Sequence, residues 1–333
     1  MPFAAAAIPA SAPPGRFWAL VLAGGDGARL KPLVRRIHAD GRPKQFVAIT
    51  GKRSLLRETL DRIGTLISPE KTLIVGNRTH RALLAFEVGE FPGVAVLLQP
   101  ANRGTGPGIL FPVSWIARRD PQATVAIFPS DHLVRSADAF MDHVEQARAF
   151  VDVHPDRILL VGAPATCPET EFGWIEPGEK VGATASGPIC RVTRFREKPE
   201  WDEARVWLEN GSLWNTFVIV GRASTILEVA QTASRPTLEA CERAAHAARA
   251  CHGAVLEELY EQLPMVDFSR AILERSTDRL VVSRLPSGIW SDLGTPERVF
   301  RSLTEAGTAI PEWMRLPGST TGQRIERPDA LPA

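Results

Sequence analysis

The chain has no apolar run approaching the ~18 residues that a membrane-spanning helix needs. Cysteine is scarce: Cys167, Cys190, Cys241 and Cys251 form no C-x-x-C pair and no Cys/His spacing of a metal site. They read as reduced thiols of a cytosolic protein rather than as a disulfide framework. Charge of either sign is nearly balanced, with a formal net charge of +1, so nothing exerts a long-range pull on nucleic acid or anionic lipid. Ligands must therefore be recognised by local groups. The opening MPFAAAAIPASAPPGR has no basic n-region and is broken by prolines, so residues 1–16 are expected to be a disordered tail rather than a signal peptide. No internal period marks a repeat array, and no hexapeptide pattern marks a β-helix.

What remains is the composition of an ordinary globular protein, 44% hydrophobic and 23% charged, with 333 residues for one large domain or two small ones. Apolar runs predict strands over 17–23, 71–75, 94–98, 124–128, 157–161, 191–196, 216–220 and 280–283. Helical spacing covers 53–63, 82–86, 105–119, 137–153, 201–208, 223–232, 237–262, 267–275 and 295–305. This alternation argues for an α/β sheet with ligands beyond the carboxyl ends of its strands. Between Cys167 and Pro199, Pro, Gly and Thr become frequent, and a substrate-binding region inserted over the same sheet is expected there.

The densest signal runs from Trp18 to Phe46. An apolar strand breaks into Gly24-Gly25-Asp26-Gly27, then Arg29, with Pro43-Lys44-Gln45-Phe46 downstream. Glycines clear side chains from a turn, so that backbone N–H groups can close on an anion, and a following helical turn adds its dipole. Arg29 and Lys44 supply mobile positive charge. No Gly-Lys-Ser/Thr follows, so this is not a P-loop. Leu30 stands at the closing position of a dinucleotide fingerprint, which removes that reading too. Taken alone, the glycines also suit a plain turn after an edge strand.

Further along, Asp131 in Pro129-Ser130-Asp131-His132 should stand at a strand's C-terminal end, where Asp is either a metal ligand or a helix cap. Asp292, in Trp290-Ser291-Asp292-Leu293-Gly294-Thr295, carries the same two readings. Lys198 in Glu197-Lys198-Pro199 is, by position alone, a solvated side chain. Trp174 in Phe172-Gly173-Trp174-Ile175-Glu176 suits a core. His132 reads as structural. The segment Gln99 to Gly108 reads as a turn entering a helix.

In this order the segments LAGGDGARLKPL, RPKQF, PSDH, FGWIE, EKP, LWNT and WSDLGT resemble the sugar-1-phosphate nucleotidyltransferases. Pro43–Phe46 narrows the likeness to the mannose-1-phosphate guanylyltransferase branch, and the likeness runs from about Trp18 to Phe300. It implies a Rossmann-like (GT-A-like) three-layer α/β nucleotidyltransferase fold with a mostly parallel mixed sheet. A single domain over 17–310 is expected, with a nucleotide-binding half at about 17–165, a sugar-binding half at about 166–310 and a C-terminal tail at 311–333. GTP and mannose 1-phosphate are the implied substrates and Mg2+ the implied cofactor, held by Asp131 and Asp292. The implied nucleotide contacts are Leu22, Ala23, Gly24, Gly25 and Gly27 in the loop, with Arg29, Lys44, Gln99, Arg103 and Thr105. Gly173, Glu197, Lys198 and Asn215 are the implied sugar-phosphate contacts. Arg29, Lys44, Asp131 and Lys198 are the implied catalytic residues. A homodimer is compatible with the likeness; nucleic acid and membrane are not expected partners.

The sequence departs from the family pattern at several points. Ala28 stands for the usual Thr, extra residues lie between Leu33 and Pro43, Gly106 and Gly108 stand for alanines, and Phe217 stands for Gly. Another nucleoside triphosphate or sugar, or a silent regulatory relative, remains open at this level. A glycosyltransferase of related fold would want Asp-x-Asp where this chain has Ser130-Asp131-His132.

Overall fold

The computed structural model describes residues 16–51, 53–250 and 253–305. Cys251, nearly all of the expected N-terminal tail and the segment from 306 onward, including the expected tail at 311–333, lie outside the described residues. In chain order, β1 (Phe17–Ala23) leads through α1 (Lys31–Ile37) and α2 (Leu55–Ile63) to β2 (Thr72–Asn77). Then come α3 (Arg81–Val88), β3 (Ala95–Gln99), α4 (Thr105–Arg119) and β4 (Thr124–Pro129). A two-residue strand β5 (Leu133–Val134) precedes α5 (Ala137–Val153) and β6 (Ile158–Pro164). The hairpin β7 (Gly173–Thr184) and β8 (Gly187–Glu197) is followed by α6 (Trp201–Glu209) and β9 (Leu213–Arg222). Last come α7 (Ala223–Arg249), α8 (Gly253–Gln262), α9 (Phe268–Ala271), β10 (Leu280–Arg284), β11 (Trp290–Ser291) and α10 (Pro296–Glu305).

Nine strands form one sheet in the order β3-β2-β1-β4-β9-β6-β10-β8-β7, and β5 pairs with β11 in a separate ribbon. Strands β3, β2, β1 and β4 are mutually parallel, and β10 is parallel to β6. Within this sheet only β9 and β8 run against the common direction. Because successive side chains of a strand alternate between faces, each central strand feeds two cores. Trp18 and Leu20 pack on the face covered by α4 and α7, and Ala19 and Val21 on the face covered by α5. Val125 and Ile127 against Ala126 and Phe128 repeat the division on β4. That alternation makes three layers, the fold class expected.

Two expectations change. The stretch 167–199 is not laid over the sheet but joins its edge as the β7–β8 hairpin. Its period of two is hidden by register shifts at Pro177, Lys180 and Gly182, where Pro and Gly interrupt the ladder. The division expected between helices at 223–232 and 237–262 is present as a kink inside α7, but the second of these helices is divided again after Arg249. Helix α7 continues to Arg249 through a kink at Ser234 (φ −155°, ψ 62°) that accommodates Pro236. Helix α8 then begins at Gly253. The β5–β11 ribbon had no signal in the sequence, since neither strand exceeds two residues.

Candidate active site

The glycine loop leaves the end of β1 with its carbonyls already engaged. Ser130 Oγ donates to the Leu22 carbonyl at 2.7 Å. Gln45 Nε2 donates to Ala23 at 3.1 Å and to Gly25 at 2.8 Å, and Asn77 Nδ2 donates to Gly24 at 2.7 Å. Side chains from three other segments therefore satisfy every acceptor from Leu22 to Gly25, leaving the loop's donor character for a ligand. Gly25 faces open space. Gly27 is required in a different way: its φ is 57°, and a Cβ there would lie 3.0 Å from the Lys44 backbone nitrogen. Leu22, Gly24 and Gly25 line a cavity, whereas Ala23 is fully buried behind the wall. Gln45, Asn77 and Ser130 were not singled out from the sequence; Gln45, inside RPKQF, and Ser130, inside PSDH, had a signal that could have found them, and Asn77 had none.

Two connected cavities open along the carboxyl ends of β1 and β4. The first, of about 400 Å³, is lined by Leu22, Gly24, Gly25, Gln99, Thr105 and the segment Met265–Asp267, among others. The second, of about 290 Å³, holds Arg29, Asp131, Gly173, Glu197, Lys198, Asn215, Phe217 and Asp292. Leu22, Gly25, Thr105 and Asp267 belong to both. Arg103 does not face either. Its guanidinium donates to the carbonyls of Tyr260 (2.8 Å) and Glu261 (3.0 Å), tying the Gln99–Thr105 turn to the end of α8. Gly106 N–H donates to the Val266 carbonyl at 2.8 Å, and Phe268 N–H donates to Thr105 Oγ1 at 2.8 Å. Gly104 (φ 85°) and Gly106 let the Met265–Asp267 segment approach the helix start, because a Cβ at either would collide with Val266. The sequence pointed to the turn but not to the late segment that clasps it.

The β5–β11 ribbon brings the two aspartates together. Leu133 pairs with Ser291, so continuing the register one step sets His132 level with Asp292. Lys44, only 5% exposed, lies between them: its Nζ is 3.0 Å from Asp131 Oδ2 and donates to the Asp292 carbonyl at 2.6 Å. The expectation of Lys44 as a mobile grip on phosphate changes accordingly, since its ammonium links the two aspartate segments. Burial opposes ionisation of Asp131, but the Lys44 ammonium and His132 beside it hold the carboxyl below its usual range. Burial pushes His132 down to about 4, so it is neutral near pH 7. Its Nδ1 accepts from Trp290 Nε1 at 3.0 Å, which fixes a structural role across the ribbon. Asp292 faces Arg298 Nε at 3.0 Å, and Arg298 Nη1 donates to Glu169 at 2.5 Å while stacking over Phe172.

Two carboxylates line one cavity, Asp131 beside the Lys44 ammonium and Asp292 with its Oδ1 turned to Arg298, and this oxygen donor set fits an oxygen-preferring cation that completes its shell with substrate phosphates. Among the described residues no group of three His, Cys, Asp or Glu could hold a metal alone.

On the opposite wall, Glu197 and Lys198 end β8. Lys198 Nζ sits 3.2 Å from Glu197 Oε1, and burial raises the Glu197 carboxyl despite that ammonium. Gly173 faces Glu197, Phe195 and Asn215 so closely that a Cβ would clash. Trp174 is fully buried among Trp207 and Ala204, the core role. Arg29 pairs with Glu171 across the mouth, both about half exposed.

A family profile described as nucleotidyl transferase matches residues 18–309. The chain belongs to that family. A mannose-1-phosphate guanylyltransferase of Escherichia coli is 28% identical over 283 residues, 83% of this chain and 58% of that protein. The xanthan biosynthesis protein XanB of Xanthomonas campestris is 31% identical over 282 residues, 83% of this chain and 57% of its own length. The chain thus spans less than three-fifths of these curated relatives. A crystal structure named mannose-1-phosphate geranyltransferase, from Thermus thermophilus, superposes with a TM-score of 0.72 at 29% identity, covering 89% of this chain and 80% of that one. These likenesses agree with the resemblance drawn from the motifs. No helix among the described residues is long and apolar enough to cross a membrane.

Proposed function

We propose that the protein transfers a guanylyl group from GTP to α-D-mannose 1-phosphate, giving GDP-mannose and pyrophosphate. The observation that carries this reading is the meeting of Asp131 and Asp292 around Lys44, on a cavity shared by the glycine loop and the Glu197–Lys198 wall. A sugar-phosphate oxygen attacks the α-phosphorus in line with the departing pyrophosphate. The attacking phosphate is already ionised near pH 7, so no general base is needed, which suits a neutral His132. The barrier lies in bringing two anions together, and catalysis is positioning plus charge neutralisation.

Asp131 and Asp292 would hold Mg2+, which would offset the charge of the facing phosphates. Lys44 keeps the two carboxylate segments in register. Lys198 meets the sugar phosphate, Glu197 accepts from the sugar hydroxyls, Asn215 donates to them through its NH2, and the bare backbone of Gly173 faces the ring. Arg29 exchanges Glu171 for the outer phosphates of the nucleotide. Such an exposed pair is held by no more than about 1 kcal/mol. The cavity bounded by Gln99, Thr105 and Met265 takes the base.

The test is pyrophosphate release from the purified protein with Mg2+, a panel of nucleoside triphosphates (GTP, ATP, UTP, CTP, dTTP) and the 1-phosphates of mannose and glucose. GTP with mannose 1-phosphate is expected to be the fastest pair. Silence with every pair refutes the transfer reading, and a different fastest pair replaces the substrates while keeping the reaction.

A further inference from the structure

Phe217 is a bulky residue in a glycine's conformation, with φ at 60°. It lies in a bulge: β9 pairs with β6 at Val218–Val161 and next at Asn215–Gly162, leaving Thr216 and Phe217 as extra residues. The bulge is held from within. The Phe217 N–H donates to Asn215 Oδ1 at 3.0 Å, and Thr216 Oγ1 donates to the Val161 carbonyl at 2.6 Å. One consequence is that Asn215, its oxygen engaged, presents its NH2 to the cavity it lines.

The other consequence concerns the ring. Leu22 pairs with Pro129, and continuing the β4–β9 register from Ile127–Ile219 sets Pro129 level with Phe217. Leu22, Pro129 and Phe217 all line the second cavity, so an apolar row crosses three strands beneath polar walls of Glu197, Lys198 and Asn215. Phe217 does not line the first cavity, on the base side. Backbone strain that persists beside a binding site, where its own neighbours enforce it, is the pattern of a residue kept for what its side chain touches.

We propose that Phe217 is a specificity-determining residue, its ring forming the floor on which the pyranose of the sugar 1-phosphate lies. An amphipathic sugar suits this cavity: its C–H face meets the apolar row while its hydroxyl edge meets the polar walls. The inference rests on the proposed sugar-phosphate reading of this cavity and adds a residue that sets which sugars fit.

The experiment compares wild type, Phe217→Gly and Phe217→Leu by steady-state kinetics, thermal unfolding and calorimetric titration of mannose 1-phosphate. Glycine adopts this φ without strain, so Phe217→Gly is expected to fold with an equal or higher Tm. Its KM for mannose 1-phosphate should rise about tenfold while KM for GTP stays within about twofold, with Phe217→Leu between the two. The preference between mannose and glucose 1-phosphates should narrow. An unchanged sugar KM overturns the proposal, as does a lower one, which would make the ring an obstruction. An equal rise for both substrates would show a structural role and also overturns it. Should wild type release no pyrophosphate with any pair, the proposed transfer falls, and the calorimetric comparison of wild type with Phe217→Gly still decides whether the ring supports a sugar.

Discussion

The two sides of the cleft are built differently. On the side proposed for the nucleotide, at the glycine loop and the first cavity, left-handed backbone among the described residues falls on glycines, Gly27 and Gly104. On the side proposed for sugar and metal it falls on Lys198, Phe217 and Leu293, residues with full side chains that adjoin or line the second cavity, besides Gly187, Gly211 and Gly288 elsewhere in that half of the chain. The first side is therefore made of positions where only the absence of a side chain fits, held by carbonyl-capping side chains from segments 20 to 108 residues away. The second is made of strained positions held by long-range contacts, such as the Lys198 N–H to the Phe172 carbonyl at 3.0 Å. Strain of this kind costs on the order of 1–3 kcal/mol per residue, so it persists only where its surroundings over-determine it. Both sides depend on the completed fold: the anion cradle uses it to clear and cap a bare backbone, and the wall proposed for sugar and metal uses it to hold strained residues that carry side chains.

Substitutions on either side put this asymmetry at risk. The largest effect is expected from Asp131→Ala, which removes one of the two carboxylates proposed to hold Mg2+ and leaves the Lys44 ammonium without its ion-pair partner. Turnover should fall about 100- to 1000-fold, on the order of 2.7–4 kcal/mol of barrier, in the pyrophosphate assay. Near-normal turnover would remove Asp131 from the site.

A pair of variants separates the two kinds of backbone. Gly104→Ala forces a Cβ into the Val266 carbonyl at φ 85°, and should destabilise the protein by about 2 kcal/mol or more in urea unfolding. Lys198→Gly should lose turnover as severely as Asp131→Ala yet keep stability within about 1 kcal/mol, because glycine relieves its φ of 51°. Equal destabilisation by both would erase the distinction between the two sides.

The effect most remote from the cleft concerns the backing of the sheet. His143 on α5, bonded to Ser283 of β10 at 2.8 Å, is pushed by burial to about 4 from an ordinary 6.5. The unfolded chain takes up its proton below 6.5 and the folded chain refuses it until about 4. Stability from this group is thus present above 6.5 and lost as pH falls toward 4, with a slope of up to about 1.4 kcal/mol per pH unit. His143→Gln should flatten the fall of Tm across that window relative to wild type. An unaltered slope would mean that the histidine is charged in the folded chain.

Much of this was legible in the sequence, for a physical reason. The strands of the parallel half are buried on both faces and read as plain apolar runs, and the glycines of the cradle are close neighbours in the chain. Helices α4 and α5 fall at the expected bounds because their apolar spacing is unbroken. What stayed hidden depends on pairing across the chain. The β7 strand is disguised by bulges, and the β5–β11 ribbon is too short to leave a pattern. Arg103 in a turn gives no hint that its guanidinium will cap carbonyls of residues 260 and 261. Lys44 beside Pro43 resembles a mobile surface cation until the fold closes over it, and the strain at Phe217 is invisible until φ is known.

Burying Lys44 also shapes the resting state. Because its ammonium is fastened to a main-chain carbonyl as well as to Asp131, it acts as a built-in counterion that neither dilution nor salt can remove. Between turnovers the acidic segments are spared mutual repulsion. On the proposed reaction, each round would start from an assembled cleft, not from two distant pieces of chain that must first find each other.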